Sequence, residues 1–218
     1  MNNSVQENVW KNDFGQNYTD RNDYTPEQLD SVYLESMGIK RSDLNDDFLS
    51  NFDKEAKILE VGCNIGNQLI MLEKQGFKNL YGIEIMPYAV EKAKSRTKGI
   101  NIIQGSAFDI PFKDNYFDLV FTSGVLIHID PKDLNKIMNE IIRCSNKYIW
   151  GFEYFSEEFV SVNYRGNSEL LWKGNYVEKY MKQNKTLELV KSKFVNRVGT
   201  ENCDQMFMLK KGGCNEIL

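Results

Sequence analysis

The sequence predicts an α/β fold in which a mostly parallel sheet binds a nucleoside-containing cofactor, and three observations support this prediction. An apolar run over 58–61 leads directly into a turn that contains Gly62 and Gly66. Behind this turn, the apolar-periodic segment 67–75 indicates a helix. About twenty residues after the turn, a second apolar run ends in Glu84, where a carboxylate can bind the two hydroxyls of a ribose.

The turn discriminates between two cofactors. A dinucleotide pyrophosphate requires the pattern G-x-G-x-x-G, but Asn64 takes the middle position and no glycine follows Gly66 before Gly76. Asparagine is the non-glycine residue that best tolerates a left-handed backbone. The form E-x-G-x-x-x-G, which begins at Glu60, resembles motif I of class I S-adenosylmethionine-dependent methyltransferases. The turn therefore favours S-adenosylmethionine over NAD, with an NAD-dependent oxidoreductase as the alternative function.

The resemblance to class I methyltransferases implies a Rossmann-like fold of that class. Its sheet would have seven mostly parallel strands with an antiparallel C-terminal strand, and helices would cover both faces. The segment 105–112 is similar to the adenine-binding loop of these enzymes, and the loop after the fourth strand would lie under the methionine end. The core residues expected to bind the cofactor are Glu60, Gly62, Asn64, Gly66, Glu84, Ile85, Ser106, Ala107, Phe108, Thr122 and Leu126.

The other elements follow in order along the chain. Helices are predicted over 26–36, 44–52, 87–96, 133–144 and 176–183. Strands are predicted over 100–104, 117–122, 147–152, 187–195 and 205–210, the last two forming the pair that closes the sheet. We expect a single domain over 1–218, divided into an N-terminal helical lid (1–52), a cofactor-binding core (53–153), and an acceptor insertion with the closing strand pair (154–218).

The N-terminal segment carries aromatic residues suited to a lid over the cofactor. Trp10, Phe14 and Tyr18 are spaced four residues apart, and Arg21 follows them. Tyr18 and Arg21 are expected to hold the methionine carboxylate, since a guanidinium group matches a carboxylate in geometry and charge. The alternative is a solvated N-terminal arm.

A more specific resemblance covers most of the chain, from Trp10 to Lys210. The sequence is similar to the methylases associated with pseudaminic acid biosynthesis, a bacterial group of class I methyltransferases. The stretches that carry this similarity are 13–22, 60–66, 124–129, 143–146, 153–155 and 164–166. The resemblance implies a role in surface-glycan biosynthesis, with a poorly defined small-molecule acceptor.

Two residues are candidates for the base that an acceptor hydroxyl would require. His128 is the single histidine of the chain and is expected near the transferred methyl group. Its unperturbed pKa of ~6.5 suits a general base, whereas the alternative is a backbone hydrogen bond that orders its loop. Glu153 ends the fifth strand, where ligands of open α/β sheets bind, and is the rival base.

The insertion contains two pairs that could bind the acceptor. Tyr164 precedes Arg165, and Trp172 precedes Lys173. The cations could hold a phosphate or carboxylate while an aromatic ring stacks on a sugar, so the expected acceptor is an anionic sugar or a nucleotide sugar. The alternative is a surface loop whose charges are solvated and whose Trp172 packs in the core.

Composition restricts the remaining functions. The chain has 218 residues and a net charge of −4 with interspersed charges, which argues against nonspecific nucleic-acid binding. We expect no membrane insertion, because apolar runs are short. Four scattered cysteines with one histidine argue against a metal site and favour a reducing cytoplasm. A nucleoside-binding partner protein without catalysis remains possible, and the oligomeric state stays open.

Overall fold

The structure is a computed structural model that describes residues 5–166 and 169–212. The fourth cysteine, Cys214, lies outside the described residues. The helices are α1 (Val5–Trp10), α2 (Asp13–Arg21), α3 (Pro26–Met37), α4 (Arg41–Leu49), α5 (Asn67–Lys74), α6 (Pro87–Arg96), α7 (Leu134–Cys144) and α8 (Tyr176–Gln183). The strands are β1 (Lys57–Val61), β2 (Asn79–Glu84), β3 (Asn101–Gln104), β4 (Phe117–Ser123), β5 (Ser145–Phe155), β6 (Val160–Ser161), β7 (Trp172–Lys173), β8 (Leu187–Asn196) and β9 (Cys203–Lys211).

Seven strands form one sheet in the order β3-β2-β1-β4-β5-β9-β8. The first five are mutually parallel, and β9 pairs antiparallel with both β5 and β8. This topology confirms the predicted seven-stranded, mostly parallel sheet with an antiparallel C-terminal strand. The short strands β6 and β7 pair with each other in the insertion.

The central strands are buried because helices cover both faces of the sheet. Four of the five residues of β1 and five of the seven residues of β4 are buried, as expected for parallel strands with two covered faces. On one face, α7 buries an apolar stripe that includes Ile137 and Ile141. The opposite layer includes Leu44 and Phe48 of α4. The strand ends are thereby fixed between two packed layers.

Several predicted boundaries agree with the structure, and others are shifted. The predicted helices 87–96 and 176–183 coincide with α6 and α8. Helix α4 begins three residues earlier than predicted, at Arg41. Helices α1 and α2 were not predicted as helices, although Trp10, Phe14 and Tyr18 already have helical spacing.

Two features are absent from the described part of the chain. Within residues 5–166 and 169–212, no helix is long and apolar enough to cross a membrane. The same residues contain no group of three or more His, Cys, Asp or Glu side chains that could hold a metal ion.

Candidate active site

A cavity of about 280 Å³, which we call the first chamber, opens at the carboxyl ends of β1, β2 and β4. Glu60, Glu84 and Ser123 line it from these strands. Trp10 and Tyr18 line it from the N-terminal helices. The strand order reverses between β1 and β4, and open α/β sheets bind ligands at such a reversal. The fold therefore places a ligand-sized cavity at the position predicted from the sequence.

The turn after β1 requires left-handed backbone at three positions. Gly62 has φ +74°, Gly66 has φ +78°, and Asn64 has φ +46°. A Cβ atom at Gly62 would lie 2.7 Å from a methyl carbon of Val125, so only glycine fits there. Asn64 adopts the conformation expected of it, and its side-chain amide donates a hydrogen bond to Thr19 Oγ1 of α2 over 3.0 Å. The turn is thus joined to the N-terminal segment.

Glu84 ends β2 inside the first chamber, and its carboxylate organises the backbone around it. Oε2 accepts a hydrogen bond from the backbone N–H of Asn64 over 2.9 Å, and Oε1 accepts one from Met86 over 3.0 Å. Burial raises the pKa of Glu84, while these hydrogen bonds favour its ionised form. A carboxylate oxygen has two lone pairs, so each oxygen can still accept a hydroxyl donor from the chamber.

Two buried acceptor atoms in the first chamber lack donors. Oε2 of Glu60 and Oε1 of Gln68 are both buried without a hydrogen-bond partner among the described residues. Burial raises the pKa of Glu60 well above its ordinary value. Buried polar groups are nearly always paired, so this pair of acceptors suits a ligand that brings a donor such as an ammonium group.

Arg41 is a buried charge that the sequence interpretation missed. Its exposed fraction is 0%, and Nη1 donates to Ser123 Oγ over 3.3 Å and to Tyr33 Oη over 3.4 Å. Nη2 is buried without a partner among the residues described. The positive charge opposes the rise in the pKa of Glu60. Its helical spacing from Leu44 and other buried residues of α4 is the sequence signal that could have identified it.

A second chamber of about 200 Å³ adjoins the first. Five residues line both chambers: Tyr18, Tyr33, Ser123, Gly124 and His128. The remaining lining residues of the second chamber are Ile127, Phe152, Tyr154, Tyr164, Leu171, Arg197 and Asp204. Because these five residues line both chambers, the two cavities lie side by side.

His128 lies at the junction of the chambers. Its ring is 4.7 Å from that of Trp10 and 5.4 Å from that of Tyr164, measured between centroids. Nδ1 lies 2.6 Å from the carbonyl oxygen of Leu170; because a carbonyl only accepts hydrogen bonds, Nδ1 carries the proton and Nε2 keeps its lone pair. Burial lowers the pKa of His128 to about 4, so the ring is neutral at pH 7. The expected backbone hydrogen bond is present, and it is compatible with a base at Nε2.

The structure corrects the expectation that Glu153 is a rival base. Glu153 lines neither chamber. Its Oε1 accepts a hydrogen bond from the backbone N–H of Val125 over 3.2 Å, and Oε2 accepts one from Ile127 over 3.4 Å. Burial raises its pKa to about 7. Because its oxygens accept hydrogen bonds from the loop that carries His128, Glu153 holds that loop in place.

The expected cofactor residues fall into two groups. Ile85, Ser106, Ala107 and Phe108 line the first chamber with the motif I residues Glu60, Gly62 and Asn64. Ser106 Oγ donates to Oε1 of Glu7 in α1 over 2.7 Å. The residues that do not line it are Gly66, Thr122, Leu126 and Arg21.

The four residues that do not line the first chamber have other places in the structure. Gly66 caps the N-terminus of α5. Thr122 hydrogen-bonds Glu153, and Leu126 is packed in the core. Arg21 is exposed at the end of α2, whereas Tyr18 itself lines both chambers.

The expected acceptor residues are only partly brought together. Tyr164 lines the second chamber, but Arg165, Trp172 and Lys173 do not. Arg165 is exposed with φ +52°. Trp172 is buried, as in the alternative interpretation. Lys173 is half-buried and donates a hydrogen bond to Oδ1 of Asn202, and its charge opposes the rise in the pKa of Asp204.

Arg197 and Asp204 supply the charges of the second chamber instead. Nε of Arg197 donates to Oδ2 of Asp204 over 2.7 Å, and Nη2 donates to Oδ1 over 3.1 Å. The guanidinium lies 4.0 Å from the ring centroid of Tyr154. Arg197 and Asp204 flank the β8–β9 turn. The sequence signal that could have identified them is the pair of opposite charges on either side of the turn between the two predicted closing strands.

Comparison with known proteins agrees with this architecture. Residues 59–147 match the methyltransferase domain family. The chain is 32% identical over 87 residues to an uncharacterised methyltransferase of Synechocystis, covering 40% of this chain and 41% of that protein. It is 30% identical over 96 residues to norajmaline N-methyltransferase of Rauvolfia serpentina, covering 41% and 32% respectively. The chain therefore spans between a third and two fifths of the length of these curated relatives.

Solved structures share the fold over nearly the whole chain. The 1,6-didemethyltoxoflavin-N1-methyltransferase of Burkholderia thailandensis, solved with its substrate and S-adenosylhomocysteine, superposes with a TM-score of 0.70 at 15% identity, covering 97% of this chain and 92% of that one. A Pyrococcus horikoshii protein superposes with a TM-score of 0.63 at 18% identity, covering 93% of this chain and 95% of that one. The sheet topology is thus the Rossmann-like fold of these solved structures, and its cofactor-side half, residues 59–147, carries the match to the methyltransferase domain.

Proposed function

We propose that the protein transfers a methyl group from S-adenosylmethionine to a small acceptor. The observation that carries this proposal is the pair of adjoining chambers at the carboxyl ends of the strands, with His128 in the wall between them. One chamber bears the motif I turn and Glu84, as a nucleoside cofactor requires. The other offers space for an acceptor next to it. Methyl transfer needs two ligands in contact, and two adjoining cavities with five shared lining residues support such an arrangement.

The residues of the first chamber fit the parts of the cofactor. Glu84 would bind the ribose hydroxyls, and the loop 105–108 with Ile85 would enclose the adenine. The unpaired oxygens of Glu60 and Gln68 would accept hydrogen bonds from the ammonium group at the methionine end of the cofactor. When bound, S-adenosylmethionine supplies an electrophilic methyl group on a sulfonium. Most of the rate would then come from holding the acceptor atom in line and excluding water.

His128 is proposed to act at the junction. The hydrogen bond to Leu170 fixes the ring with Nε2 unprotonated, and a neutral imidazole can take the proton of an attacking hydroxyl. An amine acceptor that arrives neutral would need no base. The N-terminal segment 1–52 is proposed as the lid, since Trp10 and Tyr18 of its described part line the first chamber.

For the acceptor we propose a sugar or nucleotide-sugar precursor of a bacterial surface glycan. This part rests on the resemblance to the methylases associated with pseudaminic acid biosynthesis. The tyrosine rings of the second chamber support it, because aromatic faces pack well on the apolar faces of sugar rings. Arg165, exposed beside Tyr164, could contact a phosphate outside the chamber, whereas the anionic site formed by Arg165 and Lys173 within it is not retained.

Calorimetric titration with S-adenosylhomocysteine, S-adenosylmethionine and NAD tests the proposed cofactor. We expect saturable one-to-one binding of the first two and no binding of NAD. The Glu60→Gln protein should bind S-adenosylhomocysteine more weakly but keep its affinity for 5′-methylthioadenosine, which lacks the amino-acid end. Binding of NAD without S-adenosylmethionine would refute the proposal and favour an oxidoreductase.

A further inference from the structure

The second chamber is too small for a whole nucleotide sugar. Its volume is about 200 Å³, whereas sites that enclose a drug-sized ligand usually measure ~300–1,000 Å³. The chamber therefore accommodates one ring of the acceptor, and the rest of a larger acceptor stays outside. This ring must carry the methyl-accepting atom, because the second chamber borders the first at His128 and the other shared residues.

The charged pair that lines this chamber is compensated internally. Arg197 is half-buried and is held by both oxygens of Asp204 in a two-bond pair, so its positive charge is already compensated. Burial raises the pKa of Asp204, and the charges of Arg41 and Lys173 also oppose that rise, but neither of these two residues lines the chamber. An anion entering the chamber would meet the carboxylate of Asp204 together with its paired guanidinium and would have no counter-ion of its own, which is costly in free energy.

The remaining polar groups are uncharged and suited to hydroxyls. Four tyrosines line the chamber: Tyr18, Tyr33, Tyr154 and Tyr164. Burial raises the pKa of Tyr18 and of Tyr154, which keeps both phenols protonated at pH 7. Together with the neutral imidazole of His128, they offer hydrogen bonds without net charge.

The Arg197–Asp204 pair retains capacity for hydrogen bonds after it has formed. An ionised carboxylate has about four lone-pair sites, of which Asp204 uses two for Arg197. Nη1 of Arg197 donates no hydrogen bond to any described residue. A donor and acceptors held side by side match the neighbouring hydroxyls of one ring, while Tyr154, against which the guanidinium packs, offers an aromatic face.

We propose that the second chamber selects a neutral hydroxylated ring, whose hydroxyls bind the Arg197–Asp204 pair, and that any anionic group of the acceptor remains outside. This inference rests on the proposed function, because it assigns the acceptor class of the same site. It replaces the anionic sugar expected from the sequence with a neutral sugar-type ring.

The single histidine makes a direct test possible without the natural acceptor. Protein labelled with ¹³C,¹⁵N-histidine gives one imidazole signal, from His128. The labelled protein is first saturated with S-adenosylhomocysteine and then titrated with methyl β-glucopyranoside or methyl β-glucuronide. These probes have the same ring, and only the second carries a carboxylate. A failure of S-adenosylhomocysteine to bind would refute the proposed function rather than this inference.

We expect the neutral glycoside to shift the His128 signal saturably and the glucuronide to bind at least about tenfold more weakly. Equal or tighter binding of the glucuronide would overturn the inference, and so would the absence of any shift with the neutral glycoside. Both outcomes are read from the wild-type protein, so the test does not depend on a variant that folds.

Charge-removal variants sharpen the test. Asp204→Asn keeps the side-chain shape but frees the charge of Arg197, so the preference should move toward the glucuronide by about tenfold or more. Glu201→Gln is the matched control, because this exposed residue lies in the same β8–β9 turn and should leave the preference unchanged. An unchanged preference in a folded Asp204→Asn protein would overturn the proposed role of the pair.

If the Asp204→Asn protein does not fold, Arg197→Gln provides the second test. This variant should bind the glucuronide even more weakly relative to the neutral glycoside, and an unchanged preference would also overturn the proposed role of the pair.

Discussion

Replacing Glu84 by alanine should weaken cofactor binding and also destabilise the turn after β1. The carboxylate accepts two backbone hydrogen bonds, of 2.9 Å from Asn64 and 3.0 Å from Met86. Each buried N–H left unpaired costs about 1–3 kcal/mol, so the free energy of unfolding should fall by about 2–6 kcal/mol. Losing the acceptor for two ribose hydroxyls should cost a further 2–3 kcal/mol of binding, about a hundredfold in affinity.

The two effects of this substitution can be separated. Urea denaturation gives the loss of stability, and calorimetry under conditions in which the variant is folded gives the dissociation constant of S-adenosylhomocysteine. Adenosine should lose a similar factor, because it carries the same ribose. Glu91→Ala is the control, since this exposed carboxylate of α6 pairs only with Lys94. If folded Glu84→Ala protein binds S-adenosylhomocysteine within about twofold of wild type, the assignment of Glu84 to the ribose is wrong.

Three further predictions follow from burial and anchoring. Burial lowers the pKa of His128 to about 4 from its ordinary 6.5, so the contribution of the neutral ring to the free energy of unfolding should be complete above pH 6.5 and decline toward pH 4. An NMR titration midpoint of the His128 ring at or above pH 6.5 would contradict this prediction. Burial raises the pKa of Glu153 to about 7 from 4.5. The contribution of its protonated form to the free energy of unfolding is therefore present below pH 4.5 and is lost as the pH rises through 7. Glu153→Gln should remove this decline in the urea-derived free energy of unfolding, and an unaltered pH profile would argue against it. In hydrogen exchange, amides of 5–21 should exchange faster than those of 26–49 and slow when S-adenosylhomocysteine binds; equal protection of both segments would exclude a mobile first half.

The parts of the site that the sequence predicted are local in the chain. The motif I turn, the carboxylate that ends β2 and the left-handed Asn64 lie within one strand–helix–strand unit. Their geometry follows from glycine spacing and from the position at which each apolar run ends. Helices α6 and α8 were also placed correctly, because proline begins α6 and both have a clear apolar periodicity.

The direction of a side chain at a strand end could not be predicted in the same way. Glu153 follows an apolar run just as Glu84 does, yet its neighbours Phe152 and Tyr154 line the second chamber while Glu153 does not. Successive side chains of a strand point to opposite faces. The sequence placed the end of the fifth strand at 152, whereas β5 continues to Phe155. It also did not give the residue at which the chamber begins, and a shift of one residue exchanges the two faces.

Contacts between segments that are far apart in the sequence could not be predicted either. Arg41 comes near Glu60 only after α4 packs on the sheet, and Arg197 reaches the second chamber only through the β8–β9 hairpin. A charged residue in a polar segment is usually solvated, so composition alone assigns both arginines to the surface. Their burial depends on tertiary packing that no local pattern records.

The N-terminal segment has two halves that differ in how they are held. Helix α4 buries Arg41, Leu44 and Phe48 in the core layer against the sheet, so moving it would expose apolar surface and an ionised side chain. In contrast, the described residues of α1 and α2 add nothing to the buried apolar clusters, and they contact the core through hydrogen bonds, such as Glu7 with Ser106, and through the ring of Trp10 against His128. Hydrogen bonds of this kind contribute only about 0.5–1.5 kcal/mol each, because water can replace them. We therefore expect the cofactor to enter where α1 and α2 open at least cost, as the movable part of the proposed lid, while α4 stays in place as a fixed wall.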